Sequence, residues 1–366
     1  MSKKLKVNKK EFFTKKLLEW FDQNHRPLPW KGEKNPYYVW LSEIILQQTR
    51  VEQGLPYFEK FKSNYPTVSD LANAPEDEVM KLWEGLGYYS RARNLHYTAK
   101  YISNELKGEF PSDYEGILKL KGVGPYTAAA IASFAFDLPH AVVDGNVYRV
   151  LSRVFGIKTA IDSTEGKKEF SKLAQELIEK NQPANYNQAI MDFGATHCKP
   201  ANPNCGKCLM SSKCFASQND KIQDFPFKCK KIQKRTRFFN YLIISNKENI
   251  FIQKRTRKDI WQNLYEFPFL ESMELIENVE KLVENVESVG NLNLGEFNIL
   301  KISKPFKQTL THQKIIARFW EIQLENLADF EEEKYVKIER KNLTKFAFPK
   351  VIDLYLKDKS LTLELF

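Results

Sequence analysis

The 366-residue chain has no apolar run long enough to cross a bilayer. The longest, Tyr126 to Phe136, spans 11 residues and ends at Asp137. A secretory leader is not expected either, because Lys3, Lys4, Lys6, Lys9 and Lys10 have no apolar core behind them. That stretch has no arginine and is mixed with Glu11, unlike a transit peptide. Cysteines number only five, four of them between Cys198 and Cys214, which is not the layout of a disulfide framework. Repeats and low-complexity tracts are lacking too. These absences leave a cytoplasmic protein with no membrane partner as the expectation. The scarcer charge is the negative one: 46 Asp+Glu stand against 56 Lys+Arg, net +10. Such an excess suits a polyanionic partner such as nucleic acid.

The chain is long enough for two domains, and 42% apolar with 28% charged residues supports packed cores. Charge and texture divide it in the same place. Residues 1–220 hold 30 basic and 25 acidic side chains. Residues 221–237 hold seven basic side chains against Asp224 alone, and 238–366 hold 19 against 20. Residues 11 to about 215 read as helices, with Phe12, Phe13, Leu17, Trp20 and Phe21 at helical spacing and Pro75 at a helix start. Beyond Arg237, Tyr241–Ser245 and Ile250–Gln253 read as strands around a turn at 246–249, Lys314 to Leu324 as another strand, and Leu275 to Val289 as a helix. A helical domain over 1–215, a basic linker over 216–237 and an α+β domain over 238–366 are therefore predicted. The linker is placed to track phosphates.

Cys198, Cys205, Cys208 and Cys214 are spaced C-x6-C-x2-C-x5-C, with Pro200, Pro203 and Gly206 supplying turns. Four thiolates within 17 residues can meet at one metal centre. Zinc usually takes two C-x-x-C knuckles farther apart, whereas one C-x-x-C with longer arms suits a four-iron cluster. The cluster is preferred and zinc stays open. Cys229 is left as a linker thiol.

Gly122-Val123-Gly124 precedes an Ala-rich helix, an arrangement that serves either phosphate binding or a plain turn. Glu43 falls among Val39, Trp40, Leu46 and Gln47 if Tyr38–Thr49 is helical, and desolvation there would raise its pKa toward that of a general acid. Alone, it reads as a Glu at the rim of a core helix. Asp144 follows Ala141-Val-Val and precedes a helical pattern, so alone it reads as an N-cap. Glycine hairpin, metal loop and basic charge in one helical domain favour the functional reading of both carboxylates.

At these residues the chain resembles the helix-hairpin-helix DNA glycosylase superfamily in its iron–sulfur branch, and within it the MutY-type adenine DNA glycosylases. Arg26-Pro-Leu-Pro-Trp30, Trp40 to Thr49, Leu82 to Leu95, Val143 to Val147 and Asn187 to Gly194 carry the resemblance, and Trp261 to Pro268 resembles a segment of that family's Nudix-like C-terminal domain. The resemblance implies a [4Fe-4S] cluster on the four cysteines and a monomer acting on double-stranded DNA, nucleoid-associated when it acts, with replication or repair proteins as further partners. It implies hydrolytic removal of adenine mispaired with 8-oxoguanine or guanine. Glu43 would be the acid at adenine N7, and Asp144 would stabilise the oxocarbenium ion. Tyr126 and Asn146 would position them, and Arg26, Trp30, Leu46 and Gln188 would line the adenine pocket. Gln48 and Tyr88 would fill or wedge the duplex, and the hairpin of Gly122, Val123 and Gly124 would meet its backbone.

Two departures stand out. Tyr126 occupies the place of the catalytic lysine of endonuclease III, so hydrolysis is expected rather than a Schiff-base lyase route. Leu310-Thr311-His312 stands where the family has Phe-Ser-His at the tip that reads 8-oxoguanine, which keeps a hydroxyl and loses the aromatic. No Nudix box is present. The alternatives are an endonuclease III-like pyrimidine-lesion glycosylase and a non-catalytic iron–sulfur DNA-binding protein. Tyr126 and the long back part speak against the first, and the paired carboxylates against the second.

Overall fold

The computed structural model describes residues 3–229, 233–245, 249–289, 296–324, 330 and 335–358. Two compact units form, one from residues 1–73 with 94–230 and the other from 74–93 with 231–366. The segment 74–93 thus packs with the C-terminal residues although it lies within the first 215. Among the described residues, no helix is long and apolar enough to cross a membrane.

The first unit is helical. Its core lies between α1 (Lys3–Asn24), α8 (Pro125–Phe136), α9 (Gly145–Phe155), α10 (Thr164–Leu177) and α11 (Pro183–Asp192), where Phe13, Leu17, Val150, Leu151, Phe170 and Ile190 are buried. Helix α8 is buried along Thr127–Ser133, and its small alanines let neighbouring helices close in. Helix α2 (Pro36–Leu46) packs on it, starting where Asn35 Oδ1 accepts the Tyr37 N–H and Pro36 takes the first position, where no N–H is needed. Helix α9 starts at Asp144 and stops at Gly156. Gly156 has φ +72°, and a Cβ there would stand 2.5 Å from the Phe215 ring.

The stretch expected to be a free linker is largely built in. Helix α12 (Phe215–Gln218) begins it, and Phe225 is 2% exposed against Phe215, with ring centroids 5.9 Å apart. The Phe227 carbonyl accepts the Ile161 N–H, and the Cys229 N–H donates to Asp162. Aromatic anchors override the basic, Pro-containing composition that reads as a connector. At its far end, Arg237 is buried in strand β1 (Arg235–Ile244) and spends its guanidinium on Asp259 and Glu271. That cation is not available to phosphates.

The second unit is α+β. Strand β1 lies parallel to β7 (Gln313–Leu324), flanked by β4 (Phe269–Ser272), β5 (Phe297–Ile302) and β6 (Phe306–Thr309). A second, three-stranded sheet has the order β3 (Tyr265–Glu266), β2 (Asn249–Lys254), β8 (Val336–Glu339). The expected strands are therefore present; the turn at 246–248 lies outside the described residues. The helix expected from Leu275 is α13 (Val279–Val289), because Asn278 caps it, its Oδ1 accepting the Lys281 N–H at 3.0 Å. Helix α5 (Glu76–Leu82) follows Pro75, as its sequence suggests. It is tied to this unit by Asp77 to Lys254 and Tyr265, by the Phe348 N–H donating to Glu84, and by Lys81 donating to the Phe346 carbonyl.

Gly156→Ala combines a left-handed backbone with a ring clash. It is expected to lower the thermal midpoint by roughly 5 °C, read by circular dichroism.

Candidate active site

Helix α2 brings Glu43 into the core beside Val39, Trp40 and Ile44, and leaves it 7% exposed. The Tyr126 hydroxyl, from the first turn of α8, donates to Glu43 Oε2 at 2.8 Å. Burial pushes the Glu43 carboxyl up to about 7, the Tyr126 bond pulls it back, and the Asp144 charge pushes it further up. Tyr126 is itself raised well above the usual phenol value by burial and by the two carboxylates, so its hydroxyl stays protonated and donating.

Asp144 is the N-cap of α9 and more than that. Its Oδ1 accepts the Val147 N–H at 2.8 Å, and its Oδ2 accepts Asn146 Nδ2 at 2.9 Å. Burial raises its pKa, opposed by those bonds and by the Arg149 charge. Arg149, which the sequence did not single out, braces this turn. Its Nη2 donates to Asn146 Oδ1 at 2.8 Å and to the Gly194 carbonyl at 2.7 Å, and its Nε donates to the Cys198 carbonyl at 2.8 Å. One buried arginine therefore ties Asn146 to the start of the cysteine loop.

Glu43, Asp144, Tyr126, Leu46, Gln48, Gly122 and Gly124 all line one open cavity of about 590 Å³. Glu43 also lines a second cavity of about 740 Å³ with Arg26, Trp30 and Gln188. Leu46 thus stands on the hairpin side of Glu43, apart from the other three. Arg26 is held by Asp192, to which its Nη2 donates at 2.7 Å; Lys31 pairs with the same carboxylate, and Gln188 Nε2 reaches it at 3.3 Å. Asp192 is fully buried, so it orients these side chains without facing the cavity itself. It lies inside the segment that carries the resemblance, but only packing shows its role.

The hairpin has two unlike glycines. Gly122 needs its φ of +82°, and a Cβ there would press on Asn94 at 2.7 Å. At Gly124, before α8, a Cβ would meet nothing within 4 Å, which leaves the helix N-terminus open to an anion. Val123 is buried, so only its backbone faces outward. Gln48 and Tyr88 are exposed and both non-glycine with positive φ, +56° and +48°. Such backbone is costly and recurs at functional sites. Tyr88 belongs to the second unit, where its hydroxyl bonds the Thr311 hydroxyl at the β6–β7 hairpin tip. Both line a cavity of about 460 Å³ with His312, Leu310, Arg93 and Trp261.

The four loop cysteines line one small cavity. Among the described residues, no three His, Cys, Asp or Glu side chains close on a single metal ion. Burial raises the thiols of Cys205, Cys214 and Cys208, the last to about 11, and the neighbouring cysteines repel one another's charge. A donor set of four cysteine sulfurs lining one cavity, with buried thiols that need positive charge nearby to ionise, fits a thiolate-held metal centre.

Residues 41–180 match the HhH-GPD superfamily base excision DNA repair proteins, and 240–358 match the NUDIX domain. The adenine DNA glycosylase of Buchnera aphidicola subsp. Baizongia pistaciae is 37% identical over 310 residues, covering 82% of this chain and 83% of its own. That of Buchnera aphidicola subsp. Acyrthosiphon pisum is 33% identical, covering 90% and 91%. The chain belongs to the adenine DNA glycosylase family. The human adenine DNA glycosylase is 44% identical to this family member over 215 residues, 56% of this chain and 39% of its own. Among solved structures, a thermostable thymine-DNA glycosylase matches with TM-score 0.55 at 31% identity, covering 58% of this chain and 99% of its own. An endonuclease III–DNA complex shares the fold, with TM-score 0.52 at 24% identity and coverage of 60% and 99%.

Gly124→Ala is expected to leave the thermal midpoint unchanged, because its methyl group enters open space, and, if the hairpin meets the duplex backbone, to weaken duplex binding several-fold. Gly122→Ala is expected to lower the midpoint as well; melting curves beside fluorescence-anisotropy titrations with a duplex separate the two.

Proposed function

We propose that this family member hydrolyses the N-glycosidic bond of adenine mispaired with 8-oxoguanine or guanine in double-stranded DNA. The observation that carries the reading is a carboxyl held near neutrality, Glu43, lining one cavity with a second carboxylate, Asp144, and the hairpin glycines. The flipped adenine occupies the cavity of Arg26, Trp30 and Gln188, which opens on Glu43. Glu43 gives its proton to N7, and the C1′–N9 electron pair passes to the ring as adenine leaves. The sugar keeps the positive charge, which the Asp144 carboxylate stabilises. Water then adds at C1′, its proton passing to the Glu43 carboxylate. Tyr126 and Asn146 hold the two acids in place. Hydrolysis rather than lyase chemistry follows from a tyrosine at position 126.

Gln48 and Tyr88 fill the space in the duplex, and Thr311 with His312 reads the opposite base. The cavity that Tyr88, Thr311 and His312 share in the second unit, with Arg93 and Gln313 as further hydrogen-bonding groups on a largely apolar wall, supports this reading. The four cysteines hold a [4Fe-4S] cluster. When bound, it cross-links the loop and supplies the positive charge that stabilises buried thiolates.

The test is a panel of duplexes carrying A opposite 8-oxoguanine, A opposite G, or thymine glycol, followed by alkali cleavage. The first two are expected to be cut at the adenine strand and the third left intact; cleavage at thymine glycol alone would favour the endonuclease III-like reading. Glu43→Gln is expected to bind duplex and release no base. Thr311→Ala with His312→Ala is expected to slow the 8-oxoguanine substrate more than the guanine one.

Because Glu43 must be protonated, base release in single turnover is expected to fall above about pH 7, approaching tenfold per unit. Tyr126→Phe removes the bond that lowers this pKa, so the alkaline limb is expected to move to higher pH. An unmoved limb would assign it to another group.

A further inference from the structure

Two basic side chains wall the cavity of Cys198, Cys205, Cys208 and Cys214. Arg153 is already spent: its Nε, Nη1 and Nη2 donate to the carbonyls of Ile222, Lys199 and Pro200 at 3.1, 2.7 and 2.9 Å, and Nη1 also lies 3.5 Å from Cys198 Sγ. His197 is not. Its Nε2 is enclosed by protein and, among the described residues, bonds to nothing.

The imidazole is fixed by its neighbours. It stacks on Phe193 with centroids 5.0 Å apart and planes at 25°, and it meets Trp20 edge-on at 6.1 Å. It ends a π-helical turn, Phe193–His197, that delivers the chain to Cys198. Wide turns of this kind recur at functional sites. A buried ring nitrogen without a partner costs about 1–3 kcal/mol, so a nitrogen fixed in that state calls for a group that completes it. The cavity that His197 lines is the one on which all four cysteines meet.

We infer that His197 donates an Nε2–H hydrogen bond to a sulfur of the four-iron cluster held by these cysteines, and thereby raises the cluster's reduction potential. The inference rests on the cluster reading above. Reduction adds electron density to the sulfurs, so a donor bonded to one of them stabilises the reduced form more than the oxidised form. No proton is gained or lost; the bond biases a one-electron equilibrium by its dipole.

The experiment is voltammetry on cluster-loaded wild type, His197→Phe and His197→Gln. His197→Phe keeps an aromatic ring on Phe193 and lacks the donor. Its midpoint is expected to move negative by a three- to tenfold change in the oxidised-to-reduced ratio at fixed potential, tenfold being about 59 mV for one electron. His197→Gln retains an N–H donor and is expected to recover most of the shift. A second measurement needs no variant: with ¹⁵N-labelled histidine, pulsed electron paramagnetic resonance of the paramagnetic cluster is expected to show coupling to one nitrogen. A brown, fully loaded His197→Phe protein with an unchanged midpoint overturns this proposal alone, as does absence of the nitrogen coupling. Wild type that carries zinc overturns the cluster reading and this proposal with it.

Discussion

Glu43 is a carboxyl placed where its charge has little to support it. It is 7% exposed on a helix face with Val39, Trp40 and Ile44, no cation pairs with it among the described residues, and the Tyr126 phenol donates to it. The rest of the first unit is arranged around that constraint. An alanine-rich α8 brings Tyr126 within reach, and the turn before α9 sets a second carboxylate on the same cavity. The fold bears a cost for this. A carboxyl whose folded pKa lies near 7 and whose unfolded value is 4.5 contributes nothing unfavourable below pH 4.5. As pH rises through that interval the unfolded state ionises more readily, and above about pH 7 the penalty levels at on the order of 3 kcal/mol. The burial that raises Glu43 toward the range of the proposed general acid thus makes the folded state less stable at neutral pH.

The second carboxylate is secured differently. Burial raises the Asp144 carboxyl while its hydrogen bonds oppose that shift, and those bonds are stacked: Val147 and Asn146 hold Asp144, Arg149 holds Asn146, and the same arginine holds the carbonyls of Gly194 and Cys198. The start of the cysteine loop and the turn that presents Asp144 therefore share a strut. Displacement of the loop backbone at Cys198 would free an arginine whose other hand fixes Asn146. A buried charged side chain with all its bonds made is rigid for the reason that every alternative position leaves a group unpaired.

Much of this was legible before any coordinates. The helical pattern over 11–215, the strands at 241–245, 250–253 and 314–324, and the four cysteines on one cavity follow from local spacing and residue type, whereas Glu43 and Asp144 stand out only beside the glycine hairpin and metal loop and through the family resemblance. What escaped depends on contacts distant in sequence. Asp192 reads as one more acidic residue on a helix, and only packing makes it the anchor of Arg26, Lys31 and Gln188. Arg149 and Arg153 carry no local signal on α9, yet both are buried and pin loop carbonyls. The connector misleads for the opposite reason: its lysines suggest exposure, while Phe225 and Phe227 determine where it goes.

Segment 74–93 carries a consequence for how the molecule is made. Val79, Met80, Trp83 and Leu86 lose their solvent exposure within a unit whose other members begin at residue 231. During synthesis that segment leaves the ribosome about 140 residues ahead of its partners. At roughly 5–20 residues per second, it waits on the order of ten seconds with a tryptophan and three aliphatic side chains uncovered. The helical unit has all its own members synthesised by residue 230 and can complete its core in that interval. The late-arriving sheet then closes over a piece of chain that was in place before the sheet existed. Stopping the chain near residue 230 would leave the segment 74–93 without the rest of its unit.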